Sequence, residues 1–169
     1  MTDVILVDRH DRVIGRKEKL QAHQDGDLHR AYSIFVFNSN HQLLLQRRAE
    51  DKYHARGLWS NTCCSHPVTG SELLPQAQQR LLEEMGFSCP LQDVGSLIYK
   101  VDLEDGLIEH ELDHLLVGLW DGEPVINLNE VSDFLWYSES DLHNDLRDRP
   151  SHFTPWFRII AKDPLFQWK

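Results

Sequence analysis

Nine consecutive residues organise this chain: Trp59-Ser60-Asn61-Thr62-Cys63-Cys64-Ser65-His66-Pro67. They bring two thiols, several hydroxyl groups, an amide and an imidazole into one short stretch. Taken alone, the stretch allows two interpretations. The cysteines can be small buried hydrophobes beside a tryptophan core anchor, because a single cysteine more often packs than reacts. Alternatively, a thiol and the imidazole take part in a reaction, and the flanking sequence has to distinguish the two.

The composition indicates a single globular domain spanning residues 1–169. An apolar fraction of 41% over 169 residues is enough to build a hydrophobic core. A net charge of −10 argues against a nucleic-acid surface, so an anionic substrate needs a local basic pocket. The sequence shows no signal-peptide pattern and no apolar run of membrane-spanning length. Three cysteines, two of them adjacent, are a poor framework for disulfides, so we expect a cytoplasmic protein. The charge and the lack of a long apolar run predict no nucleic-acid or membrane partner.

Upstream of the stretch, local patterns predict mostly strands. Short apolar runs predict strands over 4–7 and 13–15, and residues 18–23 form one helical turn. Residues 29–37 are rich in β-branched and aromatic side chains, which predicts a longer strand. Residues 43–45 return after an Asn-Ser-Asn turn as its hairpin partner.

The strongest helix pattern follows the stretch. Ser71 is the predicted N-cap, Pro75 is tolerated in the first turn, and Gly86 occupies the place of a C-terminal glycine. An apolar stripe at helical spacing is formed by Leu74, Ala77, Leu81 and Met85. We therefore predict a central amphipathic helix between Ser71 and Gly86.

The second half of the chain predicts more strands and then helices. The strands cover 94–102, 107–120 and 134–137, and the first two form a hairpin. Ser138 or Ser140 caps one helix, and Thr154 with Pro155 begins another. This order predicts an α+β fold, an α-β-α sandwich with a mixed central sheet.

Two glutamates and three histidines are candidate metal ligands. Glu109 and Glu111 lie two residues apart in a predicted strand, so their side chains leave the same face. They lie either at a solvated strand edge or around a cation, because like charges side by side repel each other. His23, His29 and His66 lie in or beside loops, and mixed imidazole and carboxylate ligands suit a divalent ion. The other histidines are assigned to surface or structural positions: His10, His41, His54, His110, His114, His143 and His152.

Basic residues flank the same segments: Lys19, Arg47, Arg48, Lys52 and Arg80. On a surface they are an ordinary charge pattern. In a pocket they form a diphosphate site, because Arg binds phosphate oxygens in pairs and Lys adds a point charge. Arg80 and Glu84, four residues apart, are either a helix-surface ion pair or a cation beside a Mg²⁺ ligand.

These segments resemble, in order, those of the type I isopentenyl-diphosphate Δ-isomerases of the Nudix superfamily. The stretch 59–67 is similar to the active-site signature of that family. Four further segments match the family: 18–23 with 28–31, 45–49 with Lys52, Tyr99 with 106–111, and 153–156. The resemblance covers nearly the whole chain and implies a Nudix-like fold.

The central helix departs from the hydrolytic Nudix motif. Counting back from Gly86, Glu83 and Glu84 occupy the terminal pair of glutamates. The motif's earlier glycine, glutamate, arginine and glutamate positions hold Ser65, Ser71, Gln79 and Arg80. Most carboxylates that bind hydrolytic metals are therefore missing, which disfavours the alternative function, a Nudix pyrophosphohydrolase.

The resemblance implies conversion of isopentenyl diphosphate to dimethylallyl diphosphate by metal-dependent protonation and deprotonation through a tertiary carbocation. The implied catalytic residues are Cys64, Glu111, Tyr99 and Trp156. One implied metal site, for Mn²⁺, Mg²⁺ or Zn²⁺, consists of His23, His29, His66, Glu109 and Glu111. The implied substrate site combines Mg²⁺ on Glu84 with Lys19, Arg48, Lys52 and Arg80. Cys63 is expected to pack, Asn61 and Thr62 to shape the pocket floor, and the protein to be a monomer or weak homodimer.

Overall fold

A computed structural model describes residues 2–52, 54–68 and 72–169 and shows a mixed sheet with helices on both faces. Its first elements are β1 (Asp3–Val7), β2 (Val13–Glu18), α1 (Lys19–Asp25), β3 (His29–Phe37), β4 (Leu43–Arg48), β5 (Trp59–Ser60) and β6 (Cys63–Ser65). The later elements are α2 (Leu73–Met85), β7 (Leu91–Asp102), β8 (Ile108–Leu119), β9 (Val131–Tyr137), α3 (Glu139–Asp148) and α4 (Pro155–Ile160). Short 3₁₀ helices cover Glu104–Gly106 and Pro150–His152.

The predicted strands and helices are confirmed, with some shifted ends. β7 begins at Leu91 rather than at residue 94, and β9 begins at Val131 rather than at residue 134. The short strands β5 and β6 inside the stretch 59–67 are additions that no local pattern predicted. Within the described ranges, no helix is long and apolar enough to cross a membrane.

The helix ends follow the predicted caps in most cases. The hydroxyl of Ser138 accepts a hydrogen bond from the backbone of Asp141, and that of Thr154 accepts one from Phe157. Gly86 ends α2 in the left-handed conformation, with φ of 76°. The predicted N-cap of α2, Ser71, lies outside the described residues, and Glu72 precedes the helix without a side-chain capping bond.

The alternating side chains of β3 pack against helices on opposite faces of the sheet. Tyr32, Ile34 and Val36 share one core cluster with Ala77, Leu81 and Met85 of α2. Phe35 and Phe37 share the other cluster with Trp156, Phe157 and Ile160 of α4. This arrangement confirms the predicted α-β-α sandwich.

β3 and β4 diverge from their shared turn, and residues 59–65 cross the gap between them. The two strands pair at Phe37 and Leu43, next to the turn. Farther from the turn, β4 pairs with β5 and β3 pairs with β6. The stretch therefore leaves one strand and joins the other within seven residues.

Two fully buried polar side chains fasten this crossing to both strands. Thr62 Oγ1 donates to Leu44 O of β4 at 2.6 Å and accepts from Val36 N of β3 at 3.0 Å. Asn61 Nδ2 donates to Ile34 O of β3 at 3.2 Å. Unpaired buried backbone groups are costly, so these bonds replace the ladder bonds that the diverging strands cannot make with each other.

Long-range pairing then aligns residues from three distant parts of the chain. β8 runs parallel to β3, which places His29 beside Glu111. β7 runs antiparallel to β8, which places Tyr99 opposite the same glutamate. Because directly paired residues project from the same face of a sheet, these three side chains form one row.

Gly86 and Gly106 have nearly equal φ angles, so they provide a test of the packing around α2. An added Cβ at Gly86 would lie 2.3 Å from the carbonyl oxygen of Val125, whereas at Gly106, with φ of 72°, it would meet nothing within 4 Å. We expect Gly106→Ala to destabilise the fold by about 1–2 kcal/mol through backbone strain. Gly86→Ala should cost about 1–3 kcal/mol more through the clash. Urea unfolding of both variants measures the difference, and equal losses would contradict the clash.

Candidate active site

A cavity of about 340 Å³ opens beside residues 59–65, where β3 and β4 diverge. Its walls include most of the predicted site residues: Lys19, Arg48, Lys52, Cys64, His66, Arg80, Glu84, Tyr99, Glu109, Glu111 and Trp156. His23 and His29, both fully buried, complete the cluster with His66 and the two glutamates. Asn61 and Thr62 do not line the cavity, so they do not form its floor as expected; they shape it instead by holding β3 and β4 apart. Their side chains donate hydrogen bonds to the backbone carbonyls of Ile34 and Leu44.

The five predicted metal ligands converge on one point. One donor atom from each of them lies within 4.8 Å of all the others. His23 Nε2 is 3.1 Å from Glu109 Oε1, and His66 Nε2 is 3.0 Å from Glu111 Oε1. His29 Nε2 lies 3.2 Å from the same nitrogen of His66. The glutamates therefore lie within a buried cluster and not at a solvated strand edge.

Backbone carbonyls orient two of the imidazoles. His23 Nδ1 donates to Lys19 O at 2.7 Å, and His29 Nδ1 donates to Asp27 O at 2.9 Å. A carbonyl oxygen can only accept, so Nδ1 carries the proton and the Nε2 lone pair of each ring points into the cluster. Metal-binding histidines are held in this way, which fits the cluster to a divalent cation.

The ionisation of the cluster also favours a cation. Burial raises the pKa of Glu109 well above its usual value. For Glu111, the effect of burial, which raises the pKa, is outweighed by the interactions with Glu109, His29 and His66, which lower the pKa well below the usual value. Burial lowers the pKa of His66 to about 3, so its ring is neutral at physiological pH. Without a cation, the two carboxylates thus retain a proton on Glu109, which a divalent ion would displace on binding.

A hydroxyl and a thiol complete the acid–base groups of the cavity. Tyr99 Oη donates to Glu111 Oε2 at 2.6 Å, and burial raises the pKa of this tyrosine so that it remains a donor. Cys64 is half-buried in the cavity wall, and burial raises the pKa of its thiol to about 12. Its neighbour Cys63 is fully buried in the core beneath α2, which confirms the predicted packing role.

The Arg80–Glu84 pair belongs to the cavity wall. Arg80 Nε lies 2.7 Å from Glu84 Oε2, and Glu84 is nearly buried and accepts from Gln46 Nε2 at 3.0 Å. The helix-surface alternative is therefore wrong. Arg80 Nη2 also lies 3.1 Å from Glu130 Oε2, and Lys52 forms an ion pair with the same carboxylate. Glu130 escaped prediction because a single glutamate in a polar loop carries no local signal.

Trp156 reaches the cavity because the start of α4 is fastened to the crossing segment. The backbone N–H of Thr154 donates to Trp59 O at 2.9 Å, and the hydroxyls of Thr154 and Ser60 lie 3.0 Å apart. The indole is almost fully buried, and Arg48 Cζ lies 5.2 Å from the ring centroid. This distance is within the range of a cation–π contact.

The assignment of His54 to surface or structural positions needs correction. The ring is almost fully buried and lines the cavity. The surrounding sequence is polar and predicts an exposed loop, but one long-range and one short-range hydrogen bond hold it inward. Ala55 N donates to Glu104 Oε1 at 2.5 Å, and Arg48 Nη2 donates to His54 O at 3.3 Å. In contrast, His110 and His114 contact Gly26 O and two aspartates, as expected for structural residues.

Comparison with known proteins defines the class. A model of the Nudix domain matches residues 27–157. The DR0079 protein of Deinococcus radiodurans superposes with a TM-score of 0.76 and 14% identity, over 95% of this chain and 98% of that one. The MutT protein of Methanosarcina mazei Go1 does so with a TM-score of 0.63 and 16% identity, over 78% and 88%. The chain therefore belongs to the Nudix family.

Sequence relatives define the branch of that family. An isopentenyl-diphosphate Delta-isomerase of Pectobacterium atrosepticum is 49% identical over 159 residues, which cover 94% of this chain and 89% of the relative. An isopentenyl-diphosphate Delta-isomerase 2 of Aromatoleum aromaticum is 51% identical over 153 residues, covering 90% and 81%. Within the Nudix family, the chain belongs to the isopentenyl-diphosphate Delta-isomerases.

The converging ligands predict that divalent cations stabilise the fold. Adding Mn²⁺ or Zn²⁺ to chelator-treated protein should raise Tm, because an ion that binds the folded state alone stabilises it by about 2.7 kcal/mol at 100 times Kd. His29→Gln removes one buried donor and should lower or abolish this rise. His110→Gln is the matched control, since His110 lies on the opposite face of β8 and contacts Gly26 O. Thermal melts with elemental analysis measure the effect, and equal rises in both variants would contradict the site.

Proposed function

We propose that this protein converts isopentenyl diphosphate to dimethylallyl diphosphate. The observation that carries the proposal is one cavity that contains a thiol, a carboxylate with a hydroxyl donor, and a set of basic side chains. The family of the chain supports the same reaction. A small diphosphate with a short hydrocarbon end suits a cavity of about 340 Å³.

The reaction needs two proton-transfer groups that act on different carbon atoms. One group adds a proton to the terminal alkene carbon, which produces a tertiary carbocation. The other removes a proton from the carbon on the diphosphate side, and the electron pair of that C–H bond forms the new double bond. We assign these roles to Cys64 and Glu111, which face the same cavity. After one turnover the proton donor has lost a proton and the acceptor has gained one. The same two residues can therefore catalyse the reverse reaction with their roles exchanged.

Tyr99 and Trp156 support these transfers in different ways. Tyr99 donates to Glu111 Oε2, which orients the carboxylate and stabilises its ionised form. Trp156 closes the cavity wall with a large apolar ring, and excluding water protects the carbocation from capture. An indole ring also attracts a cation by about 0.5–2 kcal/mol.

The basic residues supply the binding energy. Lys19, Arg48, Lys52 and Arg80 line the cavity and would bind the diphosphate, while Glu84 would hold a Mg²⁺ ion, which supplies positive charge beside the phosphate oxygens. Binding at this remote group positions the small hydrocarbon end for proton transfer. The His/Glu cluster would hold Mn²⁺, Mg²⁺ or Zn²⁺, and a cation there would lower the proton affinity of Glu111. We infer a cytoplasmic location because Cys64 must remain a free thiol, and we retain the expectation of a monomer or weak homodimer.

The proposed function is tested by following isopentenyl diphosphate with Mg²⁺ by proton NMR. We expect dimethylallyl diphosphate to form with no release of phosphate or diphosphate, and chelator treatment to abolish its formation. A parallel assay with nucleoside diphosphate compounds detects pyrophosphohydrolase activity. Hydrolysis without isomerisation would overturn the proposal in favour of the hydrolase.

Adjacent cysteines allow a matched test of the thiol. Cys64→Ala should lower the turnover of isopentenyl diphosphate by ~10²–10⁴-fold, the usual range for losing a proton-transfer group. Cys63→Ala changes the same atoms one residue away, in the core beneath α2, and should retain most activity. Glu111→Gln should also abolish turnover. Circular dichroism and metal content verify that the Cys64 variant is folded and loaded, and normal turnover by that variant sinks the mechanism.

A further inference from the structure

The two buried glutamates divide their oxygens in the same way. Oε1 of Glu111 lies 3.0 Å from His66 Nε2, and its Oε2 accepts from Tyr99 at 2.6 Å. Oε1 of Glu109 lies 3.1 Å from His23 Nε2, and its Oε2 lies 3.6 Å from the Nε2 atom of His54. In each carboxylate, one oxygen faces the imidazole cluster and the other faces a side chain outside it.

His54 also contacts the aromatic wall of the cavity. Its ring packs edge-on against Trp156, with centroids 5.6 Å apart and an interplanar angle of 61°. Arg48 joins the same group, because its Nη2 donates to His54 O while its guanidinium lies over the indole. An imidazole can present an N–H from Nε2 to a carboxylate.

We propose that His54 is a positioning residue that links the metal-ligand cluster to the wall of the cavity. Through Nε2–H it holds Oε2 of Glu109, so that Oε1 stays directed at the imidazoles, as Tyr99 does for Glu111. Nε2 and Oε2 are 3.6 Å apart, so the proposed hydrogen bond requires a shift of about half an ångström by either side chain. The edge of the same ring supports Trp156.

This proposal rests on the proposed function, because it concerns the cation that the cluster holds. It assigns His54 two separable effects, one through the ring nitrogen on metal affinity and one through the ring edge on Trp156. Partners that orient metal ligands typically change metal affinity by about 10–100-fold. Two substitutions that each keep one part of the side chain separate these effects.

His54→Phe keeps an aromatic edge beside Trp156 and removes the nitrogen that faces Glu109. We expect its affinity for Mn²⁺ or Zn²⁺ to fall by at least ~10-fold, measured by competition with a chromophoric chelator in the absence of substrate. The emission of Trp156 is the difference between the spectrum of a protein and that of the same protein carrying Trp156→Phe. This difference should be the same for His54→Phe as for the wild type. An unchanged metal affinity overturns the link to Glu109.

His54→Gln keeps an N–H donor at a similar distance and removes the ring. Its metal affinity should stay within about threefold of the wild type, because the donor to Glu109 is retained, while its Trp156 emission shifts. Unchanged emission overturns the support of Trp156. Melting curves recorded in chelator identify any variant that fails to fold. His54→Phe tests the link to Glu109 and His54→Gln tests the support of Trp156, so each variant is judged separately. A wild-type protein that binds the cation but isomerises nothing refutes the proposed function instead.

Discussion

The structure depends on the hydrogen bonds by which Asn61 and Thr62 hold β3 and β4 apart. A continuous hairpin between these strands would close the sheet and leave no room for a cavity. Thr62 bonds to both strands and Asn61 bonds to β3, so the backbone groups freed by the divergence are satisfied. The same crossing delivers Cys64 and His66 to one wall and receives the start of α4, which carries Trp156.

Charge is the second constraint on this site. The chain has a net charge of −10, yet the structure places two glutamates among three imidazoles and sets lysines and arginines nearby. Burying an unpaired charge costs several kcal/mol, so the two carboxylates need a proton or a cation between them. Glu130 pairs with both Lys52 and Arg80, where the diphosphate is proposed to bind. The His/Glu cluster thus favours a cation, and the nearby basic side chains favour an anion.

The fold and the site carry different information about function. The Nudix neighbours share the architecture at 14–16% identity, which shows the fold alone. The function is indicated by what the chain places on that architecture. Arg80 occupies a position where the hydrolytic motif has a glutamate, and its guanidinium pairs with Glu84 in the cavity wall. The residues 59–67 add a thiol and an imidazole beside it.

The sequence by itself determined the local elements, the family and the five candidate metal ligands. Periodicity and capping residues mark α2, α3 and α4, because helices depend on neighbours three and four residues apart. The matched segments also predicted Cys64, Glu111 and the basic residues as site residues, and the structure places them around one cavity. Tertiary structure alone revealed the contacts of Asn61, Thr62, His54 and Glu130, none of which has a distinctive local pattern. Their positions follow from pairings such as β3 with β8, which join residues about eighty positions apart in the chain. Such contacts arise when the sheet assembles, so local spacing cannot predict them.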